Sequence, residues 1–323
     1  MDSSLFEVQS LFYQGAYRGC IDLALSSTSS ASSTDPTGTS ILLYAARSHL
    51  AASPPNPSSA LSVLSSLPQQ PHVDAVRALA RFVQARSQGD QDAISRETVN
   101  LTELLDHAVV GEEKGQVIRC AAATALFLEG DSEEALETLG VGSGSSRELE
   151  CVALGVHILL SIHRLDLAEK EYLAARAWAD DSLLIQLIEA WLGLAQGGRS
   201  TQQAFYVYDE LAQNPSAAGT HKSVVSLVGK ATALAANGDV EGAKKQLDEA
   251  QQLDPENAEI LANKAALAAY GASLSPNKPN PTTELLEQLR RANASHPLVQ
   301  EYESLDRTFD EVAAKFKLGS VEA

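Results

Sequence analysis

The sequence predicts an all-α protein, an α-solenoid of stacked helical hairpins, and three observations support this fold class. Apolar residues recur at helical spacing through most of the chain, whereas no segment shows the strict alternation of a β-strand. Short turns, several of them containing glycine, join these helical segments in pairs. Aromatic residues make up only 5% of the 323 residues and alanine is abundant, a composition that favours helices.

A single hairpin at residues 224–257 shows the repeating unit most clearly. An apolar helical stripe ends at Gly238, resumes in a second helix and is stopped by Pro255. The small residues Ala231 and Ala243 fall where the tetratricopeptide signature of about 34 residues places Gly and Ala, although aliphatic residues occupy its aromatic positions. Because only small residues let two helices approach closely there, the unit resembles a degenerate tetratricopeptide repeat.

The small residue of the second helix recurs along the chain at a nearly constant interval. The recurring positions are Ala135, Ala168, Ala204 and Ala243. Their spacings of 33, 36 and 39 residues fit a repeat of about 34 residues with small loop insertions. The sequence therefore predicts a single tetratricopeptide-like α-solenoid domain over residues 1–323. We expect a right-handed superhelix of helical hairpins, eight in number, with a C-terminal capping helix.

Segments rich in Ser, Pro, Gly and Asn interrupt the helical pattern and predict loops. A Ser-rich loop is expected at 26–40, and Pro-rich loops are expected at 53–57 and 271–281. After the last of these loops, apolar residues separated by charged ones predict the capping helix at 298–316.

The charge balance argues against some classes of partner. The chain has 42 acidic and 24 basic residues, a net charge of −18. Nucleic-acid binding requires a basic surface, and anionic membranes attract basic segments, so we expect neither partner. Simple solubility is the alternative explanation of the charge. No signal peptide is evident at the start of the sequence, and the most apolar run, Cys151–Ile162, is too short to span a bilayer.

No arrangement of residues points to catalysis. None of the seven histidines lies in a zinc motif, and the six-residue spacing of His157 and His163 does not place them on one helix face. Cys20, Cys120 and Cys151 lie far apart in the sequence and form no C-x-x-C motif, so we expect buried, reduced thiols. We therefore predict a protein that is not an enzyme and that holds no metal or cofactor.

The function is then expected to lie in a surface, and a helical-repeat superhelix presents a concave face lined by first helices. The repeat register places eleven residues there, namely Val117, Cys120, Thr124, Phe127, Leu128, Ala153, His157, Leu160, Val225, Val228 and Thr232. This lining is mainly apolar, which favours a protein segment that is held permanently over a charged peptide that binds briefly. The alternative is that the same residues form the core between repeats, and the sequence leaves both interpretations open.

Two other classes of function use similar helical folds. A tetratricopeptide adaptor or co-chaperone that grips acidic chaperone tails needs Lys, Arg or Asn on the first-helix face, and the predicted lining contains none. An α/α-barrel glycosidase needs paired carboxylates and stacking aromatics in a cleft, and the sequence shows no such pair. Both classes are therefore disfavoured.

Several segments resemble one known family over nearly the whole chain. They are FYQGAYRGCI at 12–21, RLDLAEKE at 164–171, AWLGLA at 190–195, QAFYVYDELA at 203–212 and SHP at 295–297. These segments are similar to the epsilon subunit family of coatomer, and the central block is more specific than general repeat similarity. The Ser-rich and Pro-rich segments depart from the family pattern and look like loop insertions.

The resemblance implies a non-enzymatic structural subunit of the COPI vesicle coat. Members of the family bind the C-terminal region of the alpha subunit, clasp it within the superhelix and stabilise it. Together with the beta-prime subunit, this complex forms the cage-like part of the coat. The resemblance therefore implies a cytoplasmic protein, peripheral on Golgi membranes and COPI-coated vesicles, that acts in Golgi-to-ER and intra-Golgi transport.

Overall fold

The computed structural model describes residues 3–28, 35–142, 146–213, 223–274 and 280–316. Within these ranges the chain forms seventeen α-helices and one short 3₁₀ turn at Leu105–His107, and it forms no strand. The all-α prediction is therefore confirmed. The first sixteen helices follow one another as hairpins, each made of a first and a second helix in contact.

The N-terminal half of the stack contains four hairpins. They are α1 (Ser3–Tyr13) with α2 (Tyr17–Thr28), α3 (Pro36–Ala51) with α4 (Pro57–Leu64), α5 (Pro71–Gln88) with α6 (Gln91–Leu104), and α7 (Glu113–Glu129) with α8 (Ser132–Leu139).

The C-terminal half contains four more hairpins and a last helix. The hairpins are α9 (Leu149–Ser161) with α10 (Leu165–Ala179), α11 (Leu183–Gln196) with α12 (Arg199–Gln213), α13 (Val224–Ala236) with α14 (Val240–Leu253), and α15 (Ala258–Leu274) with α16 (Thr282–Ala292). The last helix, α17 (Pro297–Ala313), corresponds to the capping helix predicted at 298–316. The predicted succession of helical hairpins is thus present in the described residues.

The turn between α7 and α8 shows how the sequence produces a hairpin. Helix α7 ends at Gly130, whose φ of 97° lies in the left-handed region that favours glycine. The next residue, Asp131, caps α8, because its carboxylate accepts a hydrogen bond of 3.2 Å from the backbone N–H of Glu134. Acidic Glu133 and Glu134 in the first turn of α8 add a favourable interaction with the helix dipole.

The Ser-rich loop is shorter than predicted, because helices extend into both of its ends. Helix α2 continues to Thr28 and α3 begins at Pro36, so part of the predicted loop at 26–40 is helical. The carboxylate of Asp35 accepts hydrogen bonds from two backbone N–H groups of the first turn of α3, and proline suits the first helical position. Residues 29–34 of the predicted loop lie outside the described residues.

The Pro-rich loops are shortened in the same way. Pro57, at the end of the predicted loop at 53–57, is the first residue of α4, where the fixed φ of proline is favourable. Helix α15 continues through Leu274, so the first part of the predicted loop at 271–281 is helical. Residues 275–279 of that loop lie outside the described residues.

The small residues predicted at the helix crossings are in the core. The four recurring alanines, Ala135, Ala168, Ala204 and Ala243, are all fully buried. In the seventh hairpin, Ala243 packs in one apolar cluster with Ala231 and Leu247. The repeat register derived from the sequence is therefore correct for this hairpin.

The first helices lie on the inside of the curved stack. Each first helix contacts the first helix of the next hairpin, from α1 with α3 to α13 with α15. In the described residues, the second helices of successive hairpins make no comparable contact with one another. Neighbouring helices are closer on the concave side of a curved stack, so the first helices form the concave face, as predicted.

We predict that Ala243→Leu overpacks the contact between α13 and α14. The added side chain has no space at a fully buried position, so the free energy of unfolding should fall by about 1–3 kcal/mol. Urea denaturation followed by circular dichroism measures this change. Ala236→Leu, at an exposed position of the same hairpin, is the matched control and should leave stability nearly unchanged. Equal stability of the two variants would contradict the register.

Candidate partner-binding surface

The concave face curves so far that its early and late helices touch. Helix α1 contacts α11, and side chains of α1 and α3 reach α9. The helices in contact belong to hairpins that lie three to five positions apart in the stack. These contacts therefore close the stack on itself. Two sets of contacts and a cavity beside them determine which part of the concave face remains accessible.

The central closing contact is a buried carboxylate on α9 that accepts hydrogen bonds from α1 and α3. The hydroxyl of Tyr13 donates to Glu150 Oε1 over 2.6 Å, and the hydroxyl of Tyr44 donates to the same atom over 2.8 Å. The guanidinium of Arg47 donates to Glu150 Oε2 over 2.7 Å. We call these four residues the Glu150 clasp. Gln9 extends it by donating to both tyrosine hydroxyls.

The clasp stabilises Glu150 in its ionised form. Burial alone would raise the pKa of Glu150, but the adjacent Arg47 charge and the three hydrogen bonds outweigh it, so the pKa of Glu150 lies below its ordinary value. Burial and the nearby carboxylate raise the pKa of Tyr13 and of Tyr44, so both hydroxyls keep the proton that they donate. Each buried polar group of the clasp therefore has a partner.

A second closing contact joins the turn between α1 and α2 to the start of α13. The hydroxyl of Ser223 donates to the backbone carbonyl of Gln14 over 2.6 Å. Val225 lies directly above Gly15, and a Cβ on Gly15 would come within 2.6 Å of the valine side chain. Glycine is required there for close approach and for a φ of 70°. An ion pair of 3.6 Å between Arg18 and Asp254 adds a weak contact at the surface.

A cavity of about 940 Å³ lies between the concave face of the early hairpins and the C-terminal hairpin. Helices α3, α5, α7 and α9 line it on one side, and residues of the segment from Ala292 to Gln300 line it on the other. Its apolar lining includes Leu79, Val83 and Leu154. The segment after α16 therefore faces the early hairpins across this cavity.

A row of rings runs along three successive first helices beside this cavity. Phe127 of α7 and Trp191 of α11 each make a T-shaped contact with His157 of α9, and both centroid separations are 6.3 Å. His157 is exposed, and the other two rings are half-buried. Desolvation lowers the pKa of His157, so its imidazole is neutral at pH 7. We call these three residues the ring ladder, an uncharged and partly accessible strip.

The structure separates the eleven predicted lining residues into two groups. The buried group consists of Val117, Cys120 and Ala153. The accessible group consists of Thr124, Phe127, Leu128, His157, Leu160, Val225, Val228 and Thr232. The three buried residues belong to the apolar core between repeats, where neighbouring first helices pack against one another. All three residues pack between neighbouring first helices, and Val117 and Cys120 also contribute to the lining of the cavity.

The accessible residues do not form one continuous groove. Thr124 and Leu128 border the cavity together with Glu150 and Leu154, neither of which was predicted. Phe127, His157 and Leu160 lie on the neighbouring stripe with Trp191, whereas Val225 packs on the first hairpin. The predicted residues therefore face different surfaces, because a helix turns by about 100° per residue and neighbouring positions point in different directions.

The buried residues of the clasp left a signal in the sequence. Glu150 is the single acidic residue in the run from Leu149 to Ile162, and Arg47 interrupts the apolar run from Ile41 to Leu50. A lone charge within an apolar helix indicates a buried ionic partner, because an unpaired charge is costly in the core. The sequence does not reveal that these two charges pair with each other.

Two of the three cysteines meet in the core despite their separation in sequence. The sulfur atoms of Cys120 and Cys151 lie 3.8 Å apart on adjacent first helices, and all three cysteines are free and buried. Burial raises the pKa of the Cys20 thiol to about 11. The prediction that the three thiols are buried is confirmed. In the part of the chain that the structure describes, no cluster of three or more His, Cys, Asp or Glu residues could hold a metal ion.

Comparison with known proteins places this architecture in a family. A family model described as "Coatomer epsilon subunit" matches residues 1–317. Coatomer subunit epsilon-2 of Oryza sativa subsp. indica is 32% identical over 238 residues, which cover 74% of this chain and 73% of that protein. Coatomer subunit epsilon of Caenorhabditis elegans is 23% identical over 317 residues, which cover 97% of this chain and 99% of that protein.

Similar solved structures are helical-repeat proteins. The structure of the APC/C hetero-tetramer Cut9–Hcn1 matches with a TM-score of 0.56 at 11% identity, over 92% of this chain and 54% of that chain. A tetratricopeptide repeat protein from Parabacteroides merdae matches with a TM-score of 0.52 at 12% identity, over 87% of this chain and 96% of that chain. These likenesses confirm the tetratricopeptide-like fold.

The fold defines the chain as a helical-repeat protein with a concave face made of first helices. None of its described helices combines the length and apolar character needed to cross a bilayer. The chain belongs to the coatomer epsilon subunit family, the non-enzymatic structural subunits of the COPI coat. This confirms the predicted family, and with it the prediction that the protein is not an enzyme.

We predict that Glu150→Gln destabilises the protein by about 3–5 kcal/mol, because Arg47 is left as a buried charge without its carboxylate. The pKa of Glu150 is depressed in the folded state, so the stabilisation is complete above the unfolded pKa of about 4.3. It is lost as the pH falls through the folded pKa. Urea denaturation from pH 7 downwards should show a constant gap between wild type and variant that narrows below about pH 4.3.

Glu137→Gln, at an exposed position of α8, is the control for this prediction. It removes the same charge and should change the free energy of unfolding by less than about 0.5 kcal/mol. An equally small effect of Glu150→Gln at pH 7, or a gap that stays constant at the lowest pH, would show that the clasp does not stabilise closure.

Proposed function

We propose that the ring ladder and its neighbours bind the C-terminal region of the alpha subunit of coatomer and stabilise it within the COPI coat. The beta-prime subunit and the other coatomer subunits are then partners within the same assembly. The protein works in the cytoplasm and joins Golgi membranes and COPI-coated vesicles peripherally, through the coat. Its role is structural, in Golgi-to-ER retrograde and intra-Golgi transport.

The observation that carries the proposal is the uncharged ring ladder on the concave face. Phe127, His157 and Trp191 occupy three successive first helices, and Leu160 extends the same apolar stripe. Large rings at such positions are the residues that most often dominate the energy of protein–protein binding. A strip without charge suits an apolar protein segment that stays bound in a permanent assembly.

The alternative is a tetratricopeptide adaptor or co-chaperone that binds another protein segment through an acidic tail. Such a site needs basic side chains that are free to pair with a carboxylate. Arg47 and Arg86 border the cavity, but Arg47 pairs with Glu150 over 2.7 Å and Arg86 pairs with Glu129 over 3.4 Å. The geometry therefore favours the apolar contact with the alpha subunit.

We predict that Phe127→Asp abolishes binding of the alpha C-terminal region without unfolding the protein. The substitution puts an unpaired charge into a desolvated interface, which costs several kcal/mol. Co-expression with the alpha C-terminal region, followed by co-purification, measures binding, and circular dichroism checks folding. The wild-type complex should survive about 1 M salt, because screening weakens charge pairs far more than apolar contacts.

Leu173→Asp is the matched control, because Leu173 is an exposed apolar residue on the second helix α10, away from the ring ladder. This variant should co-purify as the wild type does. Normal co-purification of a folded Phe127→Asp protein would overturn the proposed binding surface. Loss of the wild-type complex at high salt would show that charge pairs hold the partner.

A further inference from the structure

The last helix, α17, is attached to the solenoid mainly through its first turn in the described structure. Val299 is buried in an apolar cluster with Leu289 of α16, and Leu298 packs against the same cluster. An exposed ion pair of 3.2 Å between Arg290 and Glu303 adds a weak contact in the second turn. From Gln300 to Phe316 every residue is exposed, so nearly the whole helix projects from the end of the stack.

The projecting part of α17 carries a continuous apolar stripe. Its members are Tyr302, Leu305, Phe309, Val312 and Phe316. Their spacing alternates strictly between three and four residues, which is the pattern of the a and d positions of a coiled coil. Phe309 and Phe316 are 72% and 74% exposed. Scattered single apolar residues are ordinary on a protein surface, but a contiguous stripe at this spacing marks an interaction surface.

The edges of the stripe are acidic. Residues 297–316 contain five acidic and two basic side chains. In coiled-coil register, Glu301 and Asp306 take the positions that flank the stripe, and Lys315 follows only in the last turn. Glu303 pairs with Arg290, whereas the described residues supply no ion pair to Glu301 or Asp306. A partner that covers the stripe therefore brings its side chains against two unpaired carboxylates.

We propose that α17 is a second docking surface, and that its occupant is an amphipathic helix of another protein with basic residues beside its apolar stripe. A helix at coiled-coil spacing is covered best by another helix, through knobs-into-holes packing. Basic flanks complement the acidic edges, and charges at these positions select the partner. The surface is separate from the ring ladder and does not depend on the function proposed for it.

Charge argues against the other occupants of such a stripe. In a pair of α17 helices, the same acidic edges would face each other, and two chains of net charge −18 repel. An anionic membrane surface repels the same edges. A basic-flanked helix is the occupant for which both the apolar stripe and its edges contribute favourably.

The test uses the full chain and two synthetic peptides of about three heptads with Leu and Ile at the core positions. One peptide has Lys at the flanking positions and the other has Glu. Fluorescence anisotropy at about 0.15 M salt should show binding of the Lys peptide to the wild type and at least about tenfold weaker binding to Phe309→Asp. The Glu peptide should not bind.

Ser304→Asp is the matched control, because it adds the same charge at an exposed position on the opposite side of α17. It should bind the Lys peptide as tightly as the wild type does. Equal binding to all three proteins would mean simple attraction to an acidic chain and would overturn the proposal. Self-association of the wild type that Phe309→Asp removes, or binding to phosphatidylserine vesicles, would assign the stripe to a different occupant and also overturn it.

Discussion

The closed arrangement of this solenoid depends on one buried carboxylate. Glu150 brings a negative charge into the region where α1, α3 and α9 meet, and Arg47 with the two tyrosine hydroxyls satisfies it. Burying either charge alone would be strongly unfavourable, so each requires the other. The pair therefore favours the one curvature at which the early and late hairpins meet, whereas apolar contacts alone tolerate sliding.

Closure also determines which concave surface is available for partners. The first hairpin packs against α11 and α13, and Val225 is covered in part by the turn at Gly15. Val117, Cys120 and Ala153, which were expected on the concave face, are buried between neighbouring first helices. The accessible part of α7, α9 and α11 includes the ring ladder and the adjoining cavity. Closure thus reduces the concave surface that a partner can reach.

The local features of this fold could be predicted from the sequence, and the distant ones could not. Ala231 and Ala243 mark a crossing within one hairpin, so the repeat pattern alone places them. The clasp joins residues 106 and 137 positions apart, and no periodic pattern relates such positions. Helix ends were missed at Asp35 and Pro36, where a capping carboxylate and a proline outweighed a Ser-rich composition. The repeat pattern placed Phe127 and His157 on first helices, but it did not reveal their contact row with Trp191.

The contact between Ser223 and Gln14 has a consequence for biosynthesis. Its two residues are 209 positions apart, so the first hairpin leaves the ribosome long before its partner in α13 exists. Individual hairpins fold from local contacts as they emerge, but the clasp needs Glu150 of the fifth hairpin and this contact needs the seventh. Until the fifth hairpin has emerged, the buried polar groups of α1 and α3 have no carboxylate to pair with. The nascent chain is therefore most exposed to misfolding between its first and fifth hairpins.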